Sequence, residues 1–205
     1  MLSKRLLVAI GALGIVAAVA AVAAFALPGG DGEPEEAARP ADGRYVNSRL
    51  RYQFEYPKSW SDVKDRVKPA GREELTLLDD VYVGELETVP DTFHGVRVTV
   101  SQHERAVPRE ALTGELVKLD EALRSRAAAA RADFWDPQWV ELGGLPARQY
   151  ITEFPLGNGL ELATAQYVTI FGDRQYTVSC QGRADKWDQA VLAGCEQVLQ
   201  SFRFR

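Results

Sequence analysis

Apolar residues follow two periods along this chain, and one long stretch follows neither. From Leu6 to Leu27 no position is charged, and Lys4 and Arg5 stand just before it. As a helix rising about 1.5 Å per residue the run spans about 33 Å, enough to cross a bilayer's hydrocarbon core. Asp31, Glu33, Glu35 and Glu36 follow it. Cations before and acids after predict a cytoplasmic N-terminus, a single pass through the cell membrane, and an extracytoplasmic remainder. Ala24-Phe25-Ala26 also fits a signal-peptidase site, but the apolar run exceeds the roughly 7–15 residues of a signal peptide's central region. Residues 1–27 are therefore read as an anchor in preference to a cleaved leader. The first cysteine is Cys180, so no thiol near the membrane end could carry an acyl chain.

Residues 28–43 hold three prolines, four glycines and five acids, and predict a disordered acidic tether. The period then becomes two. Tyr52, Phe54 and Tyr56 alternate with polar residues up to Pro57, and Val96, Val98 and Val100 alternate likewise; both predict half-buried strands. Leu75–Val83 is a further strand in which Asp79-Asp80 marks a turn or bulge. After Pro108 the period becomes helical. Leu112, Leu116, Leu119 and Leu123 form one stripe of a helix that lies on a sheet, extended through Ala127–Ala130.

Beyond Asp136-Pro137 the pattern predicts an antiparallel meander. Trp139–Leu142 and Leu145–Phe154 flank Gly143-Gly144, a hairpin signal. Leu160–Phe171 and Gln175–Cys180 flank Gly172-Asp173-Arg174, taken as a second tight turn. A last helix from about Asp185 to Gln200 puts Trp187, Val191, Cys195, Val198 and Phe202 on one face, with Leu192 and Leu199 beside them.

That helix gives the cysteines their meaning. Cys195 points at what the helix covers, and Cys180 shares a strand face with Tyr176 and Val178. In an oxidising compartment the two predict a disulfide closing a loop of 15 residues. A redox or metal pair is the alternative, but the spacing is not that of a redox dithiol, and His94 and His103 lie on other elements.

Charge narrows the partners. Without Lys4 and Arg5 the exported part carries 22 cations against 29 carboxylates. So acidic a domain is a poor ligand for nucleic acid. Arg44, Arg49 and Arg51 form a small basic group, taken as a solvated face.

The segment Phe54-Glu55-Tyr56-Pro57-Lys58-Ser59-Trp60 resembles the aromatic–Tyr-Pro–x–x–Trp entry of PsbP-like domains. Later segments agree in order: Gly144-Leu145-Pro146-Ala147-Arg148, Arg174-Gln175-Tyr176-Thr177-Val178, a helix bearing Trp187, and the closing Ser201-Phe202-Arg203. The resemblance covers residues 44–205. It implies an α+β fold, an α/β/α sandwich with a central antiparallel sheet between the long and the C-terminal helix. It also implies a non-enzymatic accessory module of a membrane assembly. The N-terminal cysteine of the family's lipoprotein members is missing, a hydrophobic helix standing in its place.

Catalytic chemistry is sparse. No paired Cys or His-x-x-x-His spacing makes a zinc site, and no Gly-x-Ser-x-Gly elbow is present. We assign no catalytic residue, metal or cofactor. Asp79-Asp80 with Glu85 and Glu87 lacks the glycine-spaced ladder of a calcium loop and is taken as a solvated acidic turn. Phe134, Trp135 and Trp139 cluster around Asp136-Pro137 as a candidate binding patch, although such aromatics can equally plug the end of a sandwich. The leading expectation is a tethered module that binds subunits of a membrane protein complex. The rivals are a carrier or sensor of a small apolar ligand, seated between the sheet and the long helix, and an unrecognised hydrolase.

Overall fold

The computed structural model describes residues 40–67, 77–87, 93–157, 159–187 and 191–205. The apolar run Leu6–Leu27 and the tether up to Arg39 lie outside them. Among the described residues no helix is long and apolar enough to cross a membrane.

In chain order the strands begin with β1 (Arg44–Asn47), β2 (Tyr52–Glu55), β3 (Ser61–Asp62), β4 (Leu77–Leu86) and β5 (Phe93–Val107). Helix α1 (Leu112–Ala129) follows, then β6 (Asp133–Phe134), β7 (Gln138–Leu142), β8 (Leu145–Gly157) and β9 (Leu160–Arg183). Helix α2 (Leu192–Ser201) and β10 (Arg203–Phe204) close the chain. The strands form two antiparallel sheets. The small one has the order β1-β2-β10; the large one runs β3-β4-β5-β9-β8-β6, with β7 also paired to β8.

Strand β9 departs from the expected hairpin. Its 24 residues are one strand, and Gly172-Asp173-Arg174 does not reverse the chain. Gly172 takes φ 64°, which glycine adopts without steric cost, and the chain kinks while continuing forward. The first half of β9 pairs with β8 and the second half with β5. The kink also changes the inward parity. Ala165 before it and Tyr176, Val178 and Cys180 after it enter the same core.

The α+β fold is as expected, but the layer opposite α1 is not helix alone. Leu112, Leu116 and Leu123 of α1 pack on Tyr150, Val168 and Ile170 on one face of the large sheet. On the other face, Val198 of α2 shares a core with Tyr45, Tyr52 and Phe54 of the small sheet and with Val98 and Val178 of the large one. Strands β1 and β2 have a single apolar face, and they bury it by lying over the large sheet instead of extending its edge. Tyr52 and Phe54 stack on Phe202, with centroids 5.6 and 6.4 Å apart. Aromatic pairs of this kind contribute about 0.5–1.5 kcal/mol each beyond their burial.

The expected solvated acidic turn is corrected as well. Asp79 and Asp80 belong to β4, whose register shifts between Leu77 and Asp79. Asp79 Oδ2 accepts hydrogen bonds from Tyr45 Oη (2.6 Å), Asn47 Nδ2 (2.5 Å) and Tyr52 Oη (2.8 Å), tying the small sheet to the large one. Asp80 is buried and takes Arg97 Nε at 2.8 Å, while the Arg97 guanidinium lies over the Tyr82 ring. These carboxylates are held by donors the sequence places 17 to 34 residues away, so local acidity misled.

Cys180 and Cys195 are joined by a disulfide, with Cα atoms 5.8 Å apart. It fastens α2 to β9 inside the core that both elements help to form.

Candidate functional site

The three candidate aromatics lie along the outer edge of β8, where β6 and β7 both pair, but they do not share one environment. Phe134 pairs with Thr152 and sits half-buried beneath α1, its ring 6.3 Å from Tyr150 and under Arg124. The backbone N–H of Trp135 donates to Ile151 O, and its side chain is 44% exposed. Trp139 pairs with Arg148 across the β7–β8 hairpin and is 48% exposed. Phe134 is thus part of the core, whereas the two tryptophans are not plugs.

Trp139 is exposed but held. The Arg148 guanidinium lies 4.5 Å from its ring centroid, and a fixed cation over an indole face is an attractive contact. Arg148 is buried, and its Nε and Nη2 donate to the two oxygens of Asp120, at 3.2 and 2.5 Å. Asp120 also accepts from Tyr150 Oη at 2.9 Å. Helix α1 therefore supplies the carboxylate, β8 the cation and phenol, and β7 the indole. Asp120's hydrogen bonds raise the Arg148 pKa. Burial, then the bond to Asp120 and its charge, lift Tyr150 above the ordinary tyrosine range. One helical turn before Asp120, Val117 is 50% exposed on α1.

An apolar ligand has no room between sheet and long helix, because Leu116, Leu123, Tyr150, Val168 and Ile170 fill that space. Two open grooves lie elsewhere, one along α2 beside Glu55 and one of about 440 Å³ around Tyr56, Lys58 and Asp62. The histidines meet no hydroxyl nucleophile among the described residues. His94 lies between Glu85 and Glu87, each 3.2 Å from one ring nitrogen, and His103 Nδ1 meets Arg105 O. Among the described residues no group of three His, Cys, Asp or Glu side chains is arranged to hold a metal.

Sequence reasoning found Trp135 and Trp139 but missed Arg148, Asp120 and Tyr150. Arg148 stands directly opposite Trp139 once Gly143-Gly144 is accepted as a two-residue turn, so its place was available from counting. Asp120 was not, because the leucine stripe tells which side of α1 lies on the sheet but not which strand the residues flanking it meet.

No family model matches the chain, and no curated protein matches it. Among solved structures the chain is similar to cyanobacterial PsbP (CyanoP) from Synechocystis sp. PCC 6803, with a TM-score of 0.50 and 15% identity. The match covers 88% of this chain and 99% of that one. The likeness is one of fold: antiparallel sheets with two helices, PsbP-like.

Proposed function

We propose that the chain is a non-enzymatic accessory module, tethered outside the cell membrane through Leu6–Leu27, that docks on a protein subunit of a membrane complex by its Trp139–Arg148 edge. One observation carries this reading. Trp139 is half-exposed and yet immobilised by a buried arginine that is itself clamped by Asp120. Exposed indoles beside arginines are the side chains on which interfaces concentrate their binding energy, and a fixed one loses little entropy on docking. The disulfide and the PsbP-like fold favour the extracytoplasmic, accessory character, and the filled interior speaks against the carrier.

The test is affinity purification from detergent-solubilised native membranes after crosslinking in cells. The intact chain is expected to bring down defined membrane subunits, and Trp139→Ala to lose them about tenfold or more while staying folded, its thermal midpoint lowered only by about 2–4 °C for the lost contact with Arg148. A chain that emerges alone even after crosslinking would overturn the reading.

A further inference from the structure

Strand β7 borders the large sheet. It pairs with β8 alone, and among the described residues no strand pairs with its other side. Which of its peptide groups face outward follows from the turn that ends it. Gly143 and Gly144 take φ 61° and 85°, the two-residue hairpin turn, across which Leu142 and Leu145 exchange both main-chain hydrogen bonds. In an antiparallel ladder such pairs alternate with pairs that make none, so Val140 and Gln138 also bond inward. Trp139 and Glu141 do not. Pro146, which has no N–H to give, accordingly stands opposite Glu141. The N–H and C=O of Trp139 and of Glu141 therefore point out of the sheet, four main-chain groups without a main-chain partner among the described residues.

Free edges are ordinarily guarded by lysine, proline or a bulge. Pro137 stands just ahead of β7, but the strand itself carries none of these and is marked by acid instead. Residues 132–147 contain Asp133, Asp136 and Glu141 and no cation. Arg124 of α1 and Arg148 of β8 already answer Asp136 and Asp120. Glu141 is exposed and makes no ion pair among the described residues. Farther along the same border Asp133 stands directly opposite another acid, Glu153. Like charges facing each other across a ladder are destabilising, so the isolated sheet gains nothing from this placement.

We infer that the β7 edge receives an extended, basic segment of the partner protein as an added antiparallel strand, its main chain bonded to that of Trp139 and Glu141. The inference rests on the docking edge proposed above and names what docks there. Residues opposite each other across such a pair share a face, with Cβ atoms about 4.5–5.5 Å apart. The residue facing Glu141 is then a lysine or arginine. The next on that face lays an apolar side chain against half-exposed Trp139, and a second cation beyond it reaches toward Asp136. The main-chain bonds supply the hold and the alternate side chains the choice of partner. A second copy of this chain is the wrong occupant, since the same edge would bring more acids and no cation.

The test uses the full chain in non-ionic detergent and the synthetic peptide Thr-Lys-Thr-Leu-Thr-Lys-Thr. With the peptide bound, amide hydrogen exchange at Trp139 and Glu141 is expected to slow about tenfold or more, while Val140 and Leu142, already bonded to β8, stay as they are. Glu141→Lys is expected to weaken this peptide about tenfold and to admit the counterpart with Glu in place of Lys, an exchange of preference that a misfolded variant would not show. Glu141→Pro gives up only an outward N–H, so it is expected to refuse both peptides with its ladder to β8 intact. Absence of binding overturns the inference, as does binding that leaves the Trp139 and Glu141 amides unprotected. Equal binding of a peptide with Pro at the three central Thr positions, of the same charge but unable to add as a strand, overturns it too. So does concentration-dependent pairing of the chain that protects the same two amides, the mark of a second copy. In the crosslinked purification above, failure of the proposed function leaves the intact chain alone. Failure of this inference leaves the subunits bound equally to the intact, Glu141→Lys and Glu141→Pro chains.

Discussion

Arg148 is where the consequences of a single side chain are largest. Its guanidinium is bonded to Asp120 on one side and stacked on Trp139 on the other. Arg148→Ala takes two of the three side-chain hydrogen bonds from a part-buried carboxylate, leaving only that of Tyr150, and should lower stability by about 3 kcal/mol in urea unfolding. Arg148→Lys keeps the charge but not the fork or the planar stack, so it should recover less than half of that loss. The tyrosines give a separate test in pH. Tyr45, Tyr52 and Tyr150 all have pKa values raised first by burial and then by a neighbouring carboxylate, Asp79 or Asp120. A group whose folded pKa is raised contributes stability that is intact below its unfolded pKa, about 10 for tyrosine, and is lost as the pH climbs above it. Denaturation midpoints should therefore be unaffected by these groups up to about pH 9 and fall steeply above about pH 10. Absorbance titration of phenolate should show these three ionising only as the domain unfolds.

At the scale of elements, α2 reverses an ordinary expectation. A glycine inside a helix usually gains about 1 kcal/mol on conversion to alanine. A Cβ at Gly194, however, would lie 2.2 Å from Trp60 Cζ2, inside a packed interface. Gly194→Ala should destabilise the domain by about 1–3 kcal/mol, read as a drop in the urea midpoint at constant slope. Reducing Cys180–Cys195, or replacing both with serine, should cost about 3 kcal/mol, the chain-entropy value for a loop of about 15 residues. Much at this scale was legible in the sequence. The α1 stripe, the Gly143-Gly144 hairpin and the alternation of β5 each depend on neighbours within a few positions, and the structure has them where the pattern put them. Gly172 was misread because a bulge and a hairpin present the same local signal, a glycine flanked by polar residues between apolar runs. Only the pairing of both halves of β9 with different strands separates the two. The contact between Gly194 and Trp60 was illegible for a related reason, since it joins segments more than a hundred residues apart.

For the whole molecule, the resemblance read from short motifs and the fold agree on a PsbP-like α+β arrangement. What the motifs did not convey is that the layer opposite α1 is shared between α2 and a small sheet completed by the chain's last strand. The aromatic stack of Tyr52, Phe54 and Phe202 depends on that closure. Deleting residues 203–205 removes Phe204, which meets Phe202, Phe171 and Tyr176, and also the backbone partners of β2. The truncated chain should unfold about 5–10 °C lower in a thermal scan, about 2–3 kcal/mol for a domain this size. The candidate site was half legible: its aromatics could be named in advance, but the clamp that fixes Trp139 is assembled from three elements.

The unbroken course of Leu160–Arg183 has a mechanical consequence. The rim bearing Trp139 is fastened to the front of that strand, while its rear runs beneath the layer that receives the chain from the N-terminal side. If the domain is tethered and docked as proposed above, a pull between its partner and the bilayer would load this spine lengthwise, sharing the force among many rungs at once instead of unzipping them singly. Built this way, the proposed linkage would carry tension through a single strand paired along most of its length.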